Sequence, residues 1–101
     1  MTADIPHKRA IVSGLLQAES SIKQIFLFGS RARKNHMTPF SDIDIGILAE
    51  NKLSFYQLAR LHEAMDRINT LYTIEVIDFT NRADDFSKEA RKTKEVLHEN
   101  E

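Results

Sequence analysis

The chain has 101 residues, with 42% hydrophobic and 29% charged side chains and a net charge of −1, the profile of one folded globular domain over residues 1–101. Near-neutral charge argues against a duplex-DNA binder, which needs a basic surplus or a basic face, and the absence of cysteine excludes disulfide scaffolds, zinc knuckles and thiol nucleophiles. No apolar run reaches the length of a membrane span, and MTADIPHKRA at the start lacks the apolar stretch of a secretory signal, so a cytoplasmic location is expected.

Residues 7–20 carry Val12, Leu15, Leu16 and Glu19 at helical spacing, and Pro6 suits a first helical turn. Lys23 to Phe28 is short, apolar and aromatic and is bounded by Gly29, which predicts a buried strand. Ser30 to Phe40 is polar and basic, helical at its start and broken by Pro39. Ser41 to Leu48 alternates with period two and reads as a second strand. Ser54 with Gln57 three residues later is a capping-box pattern, and the helix behind it puts Phe55, Leu58, Leu61, Met65 and Ile68 on one stripe. Thr73 to Phe79 is a third strand rich in β-branched residues. From Ala83 a last helix is predicted to run to the C-terminus, with Asp84 and Asp85 near its positive end and Phe86, Ala90 and Leu97 as its apolar contacts. The order α-β-α-β-α-β-α defines an α/β (α+β) fold, a sheet covered by helices on at least one face.

Two stretches depart from an ordinary core. Gly29-Ser30 stands where a buried strand meets a helix: glycine lets a ligand approach the backbone, the free N–H groups of the following helix favour an anion, and Ser30, Arg31 and Arg33 add donors suited to phosphate oxygens. The plainer reading of the same residues is a turn with Ser30 as N-cap. In Asp42-Ile43-Asp44 the carboxylates at i and i+2 face the same way and repel unless a cation neutralises them. Such oxygen ligands suit Mg²⁺, with Mn²⁺ as an alternative; the plainer reading is an edge strand with two solvated acids. A calcium loop fails by register, since the sixth position from Asp42 is Ile47 and the twelfth Leu53, and a P-loop fails because no second glycine precedes Lys34. The four histidines have no ligand spacing; His62, on the flank of an amphipathic helix, reads as a satisfied, partly buried side chain. A third carboxylate has two candidates, Glu75 and Asp78, which point to opposite faces of their strand. Glu75 is favoured as a mid-strand charge that needs a partner, while Asp78 is expected to be solvated or helix-capping near the strand end.

Gly29-Ser30, then Asp42-Ile43-Asp44, then an acid in a following strand resembles the signature of the DNA polymerase beta-like nucleotidyltransferases. The wording GSRARK, SDIDIGIL and EVIDF looks like their smallest branch, the minimal nucleotidyltransferases, over about residues 8 to 80. The resemblance implies a nucleotidyltransferase fold with a small mixed sheet. It implies ATP with its phosphates against Gly29 and Ser30, joined by Arg31 and Arg33. Asp42 and Asp44 would hold Mg²⁺, with Glu75 completing the catalytic metal site, and an acceptor hydroxyl would attack the α-phosphorus as pyrophosphate leaves. It also implies a helical HEPN-type protein as partner, the nucleotidyltransferase being the antitoxin that transfers AMP to a toxin tyrosine. In this chain the third acid is glutamate where most relatives carry aspartate, and Lys34 stands where they commonly have glycine. Two other readings stay open: a module of the same fold that neutralises its partner by contact, and a transferase acting on RNA or a small hydroxylated molecule. Oligomeric state is open as well.

Overall fold

In the computed structural model, residues 5–29 and 42–100 are described. Among them the elements run α1 (Lys8–Ala18), β1 (Ile22–Phe28), β2 (Ile43–Ala49), α2 (Phe55–Asp66), β3 (Ile74–Asp78), α3 (Asp85–Thr93) and β4 (Glu95–Glu99). The helix expected at the start of Ser30–Phe40 lies outside the described residues. No helix among the described residues is long and apolar enough to cross a membrane.

The strands form one mixed sheet in the order β3-β2-β1-β4. Strand β1 is antiparallel to both β2 and β4, and β2 is parallel to β3. Period-two alternation in β2 gives the sheet two unlike faces. On one, Ile43, Ile45 and Ile47 join Ile22, Ile25 and Leu27 beneath Ile11 and Leu15 of α1 and Leu61 and Met65 of α2. Each fully buried aliphatic side chain contributes about 1.5–3 kcal/mol of transfer free energy. The stripe read for α2 is therefore a core face at Leu58, Leu61 and Met65, with Ile68 packed just past the helix end, but Phe55 is 89% exposed and does not join it; the first turn is closed by the capping box: Ser54 Oγ accepts from the Gln57 N–H at 3.1 Å while Gln57 Oε1 accepts from the Ser54 N–H at 2.8 Å.

The other face is aromatic. Phe26, Phe28 and Phe79 pack with Ala90 of α3, and the Phe28 and Phe79 rings meet edge to face at 5.2 Å. Gly46 makes room for them: a Cβ there would overlap the Phe26 ring and come within 2.9 Å of Phe79.

The predicted final helix ends early. It covers only Asp85–Thr93, and the chain turns at Lys94 into β4, which closes the edge of β1. The cause lies in β1, buried without a break from Gln24 to Phe28. A strand so enclosed needs hydrogen-bond partners on both edges, and residues 95–99 supply the second set. Gln24 marks the join, donating through Nε2 to Glu99 Oε2 at 2.6 Å and accepting from Lys94 Nζ at 2.7 Å.

Candidate active site

Gly29 ends β1 with a φ of 79°, in the left-handed region where glycine carries no steric penalty. A Cβ there would overlap a carboxylate oxygen of Asp44 and lie 3.2 Å from its Cγ. The glycine is thus fixed by two things, its backbone conformation and the side chain standing over it. Asp44 is half-buried in β2, opposite Phe28, on the aromatic face. Asp42 is exposed and precedes the strand, which begins at Ile43 rather than at Ser41.

The parallel pairing of β2 with β3 sets Asp44 opposite Glu75 and Gly46 opposite Ile77. Ile47 lies opposite Asp78, on the face covered by α1 and α2. Residues directly paired across parallel strands share a face, so Asp44 and Glu75 are neighbours while Asp78 points the other way.

Burial reverses the expectation for these two acids. Glu75 is exposed, because β3 is an edge strand and this position opens to solvent. Asp78 is the enclosed one, at 8% exposure. Its carboxylate accepts from the Leu53 N–H at 2.8 Å and the Thr80 N–H at 2.9 Å, and Thr80 Oγ1 in turn accepts from the Ala49 N–H. Asp78 therefore fastens two loops to the sheet end, a structural task rather than a solvated or helix-capping one. Facing, not burial, separates Glu75 from Asp78.

Ser30, Arg31 and Arg33 lie outside the described residues. Among the described residues no three acidic or imidazole side chains stand close enough to share a metal ion. His62 is committed, its Nε2 lying 3.1 Å from the Val76 carbonyl oxygen.

Beside Gly29 and Asp44 a cleft of about 480 Å³ opens between the sheet and α3, lined further by Ile77, Phe86, Glu89 and Thr93. The last three were not singled out as site residues by the sequence reading. Their spacing of three and four positions was the available signal, since it puts them on one helix face. Behind Phe86, the Arg82 guanidinium lies 5.5 Å from its ring centroid and 5.3 Å from that of Phe79, within cation–π range. Arg82 also donates to Asp84, with Nη2 at 2.8 Å from Oδ2. That bond lowers the Asp84 pKa and raises that of Arg82.

Residues 12–101 match the family model described as Polymerase beta, Nucleotidyltransferase. Over 92 residues the chain is 32% identical to a Haemophilus influenzae protein named "Probable protein adenylyltransferase MntA", covering 91% of this chain and 80% of that one. Its fold is similar to a chain in the crystal structure of a toxin–antitoxin with AMP-PNP: TM-score 0.69, 20% identity, 93% of this chain and 74% of that chain. It is similar also to a chain in the structure of a tri-AMPylated HEPN toxin from Shewanella oneidensis in complex with an MNT antitoxin. There the TM-score is 0.63 at 20% identity, over 92% of this chain and 70% of that chain. At such identities the likeness to the solved structures is one of fold.

Proposed function

This chain belongs to the polymerase beta nucleotidyltransferase family, and from that membership we propose that it moves AMP from ATP to a hydroxyl of a protein partner, releasing pyrophosphate. The partner is a small helical toxin of the HEPN type, the acceptor a tyrosine on it, and the chain is the antitoxin of the pair, working in the cytoplasm. A protein acceptor is supported by the identity with a relative named for protein adenylylation. The HEPN partner is supported by the fold likeness to chains from toxin–antitoxin complexes. The observation that carries the chemistry is the register that pairs Asp44 with Glu75 while Gly29 closes against Asp44.

The donor set fits a hard divalent cation, because Asp42, Asp44 and Glu75 offer only carboxylate oxygens and two of them are cross-strand neighbours. Asp44 and Glu75, the cross-strand pair, would hold Mg²⁺, and Asp42, which does not stand close enough to share one ion with both, would complete the set only by moving toward them; the ion, when bound, would neutralise phosphate charge and open the α-phosphorus to attack. Glu75, exposed at the sheet edge, takes the proton of the acceptor hydroxyl. The hydroxyl oxygen bonds to the α-phosphorus, the bond from that phosphorus to the bridging oxygen breaks, and the electron pair leaves with pyrophosphate. Ser30, Arg31 and Arg33 serve the triphosphate through charge-assisted hydrogen bonds.

Incubation of the chain with its helical partner, Mg²⁺ and labelled ATP tests the proposal, with mass analysis of the partner. The expected product carries AMP on tyrosine. Asp42→Asn, Asp44→Asn and Glu75→Ala should each abolish transfer with the fold intact, and Glu75→Asp should retain or raise it. Undiminished transfer by Asp44→Asn at saturating Mg²⁺ would refute the carboxylate site. Neutralisation of the toxin without any AMP addition would instead establish the contact-only reading.

A further inference from the structure

We propose that the groove between α1 and α2 receives the same groove of a second copy of this chain, the two α2 helices packing antiparallel about a two-fold axis. The groove measures about 530 Å³ and lies on the outer side of both helices, so the sheet separates it from Asp44 and Glu75. Along α2 it is lined by Tyr56, Arg60, Glu63 and Arg67, spaced by four, three and four positions and therefore in one row, with Ala59 and Ala64 beside them. All four side chains of the row are exposed, Tyr56 by 71%. From α1 come Gly14 and Ala18, small enough to leave another helix room to approach. Glu63 accepts from Arg67 one turn on, an ion pair in solvent, while Arg60 makes no ion pair among the described residues.

The order of these residues selects the occupant. In an isologous contact each residue of one copy meets a residue of the same patch on the other. With the two-fold axis passing between Leu61 and His62, Arg60 faces Glu63 of the second copy, Tyr56 faces Arg67 and Ala59 faces Ala64, each contact occurring twice. Every α2 residue of the lining then meets its complement: guanidinium with carboxylate, guanidinium with aromatic ring, methyl with methyl. The alanines permit close approach, and Tyr56 becomes a covered aromatic of the kind that dominates interface energetics. Sliding by one turn in one direction sets Arg60 against Arg67, and in the other sets Tyr56 against Glu63, so charge fixes a single register. A foreign helix meets these demands only by accident; a second copy meets them by symmetry. Seated in this way, the two copies leave both faces that carry Asp44 and Glu75 open.

Nothing in this contact involves nucleotide or metal, so sedimentation equilibrium of the ligand-free full chain tests it. From micromolar to millimolar concentration the wild type should pass from monomer to dimer. Arg60→Glu and Glu63→Arg each bring like charges together twice and should raise the dimer dissociation constant by about tenfold or more, with the circular dichroism unchanged. The double reversal Arg60→Glu/Glu63→Arg should restore the wild-type constant. Mixing the two single variants should produce a heterodimer at concentrations where neither dimerises alone, because every facing position then carries the opposite charge again. A wild type that stays monomeric, a dimer indifferent to both reversals, or no heterodimer on mixing would overturn the second copy as occupant. So would a monomeric chain whose Arg60→Glu variant loses its helical protein partner, an outcome that gives the groove to that partner.

Discussion

The contact between Gly29 and Asp44 can be weighed by a double-mutant cycle. Gly29→Ala introduces two penalties of different origin. An alanine held at a φ of 79° pays roughly 1–2 kcal/mol for the left-handed conformation. Its Cβ also meets the Asp44 carboxylate, and forcing that side chain aside costs about 1–3 kcal/mol, the range of overpacked sites. With Asp44→Ala in the background, the carboxylate is gone and the nearest Asp44 atom left is its Cβ, 3.3 Å away, so only the backbone penalty remains. The two substitutions should therefore couple favourably, by about 1–3 kcal/mol in urea unfolding at constant m. Gly29→Asn refines the test, because asparagine tolerates the left-handed region yet still carries a Cβ. It should recover stability relative to Gly29→Ala but not transfer activity, since Asp44 is displaced in both. Additive stabilities in the cycle, or full transfer activity in Gly29→Asn, would show that the glycine is present for the turn alone.

Two further outcomes follow from the polar groups. Asp78→Ala removes a buried carboxylate and strands the Leu53 and Thr80 N–H groups, so stability should fall by about 3 kcal/mol; at a temperature where the variant stays folded, transfer should persist, and a loss of activity out of proportion to unfolding would give Asp78 a role in the chemistry. Asp84 should titrate below ordinary aspartate because Arg82 donates to it. A depressed folded-state pKa adds stability above the unfolded value and loses it as pH falls through the folded one, so the pair acts at neutral pH and vanishes on acidification. Carboxyl-carbon NMR should find that low midpoint and see it return to normal in Arg82→Gln; an ordinary midpoint in the wild type would show that the pair does not form in solution.

Much of the architecture is legible because local chemistry and tertiary contacts agree. The Ser54–Gln57 box, the isoleucines of β2 and the stripe of α2 each have a period or a cap that only one conformation satisfies. The opposed facing of Glu75 and Asp78 follows from strand parity alone. What parity leaves open is which residue of β2 lies opposite each, since that register belongs to the assembled sheet. The exposure of Glu75 depends likewise on β3 being an edge, which appears only with the strand order. The β4 segment was hidden by its spacing. Phe86, Ala90 and Leu97 stand four and seven apart, the period of a helix, and five residues are too few for alternation to speak against it. The cleft wall escaped notice for a related reason: helical spacing marks Phe86 as apolar contact, and only the packing of Phe79 and Arg82 around it reveals that half of the ring is left open.

The sheet order carries a cost in time. Strand β1 is an inner strand, yet the residues that seal one of its edges come 75 positions later, where Gln24 meets Glu99. Until β4 has been made and has found its place, Gln24–Phe28 presents an unpaired, strongly apolar edge of the kind that invites pairing with other chains. Contacts so distant in sequence form late, because the intervening chain must lose its freedom before they contribute. The period between synthesis of β1 and docking of β4 is therefore when the growing chain is most open to aggregation, and when a chaperone has most to cover.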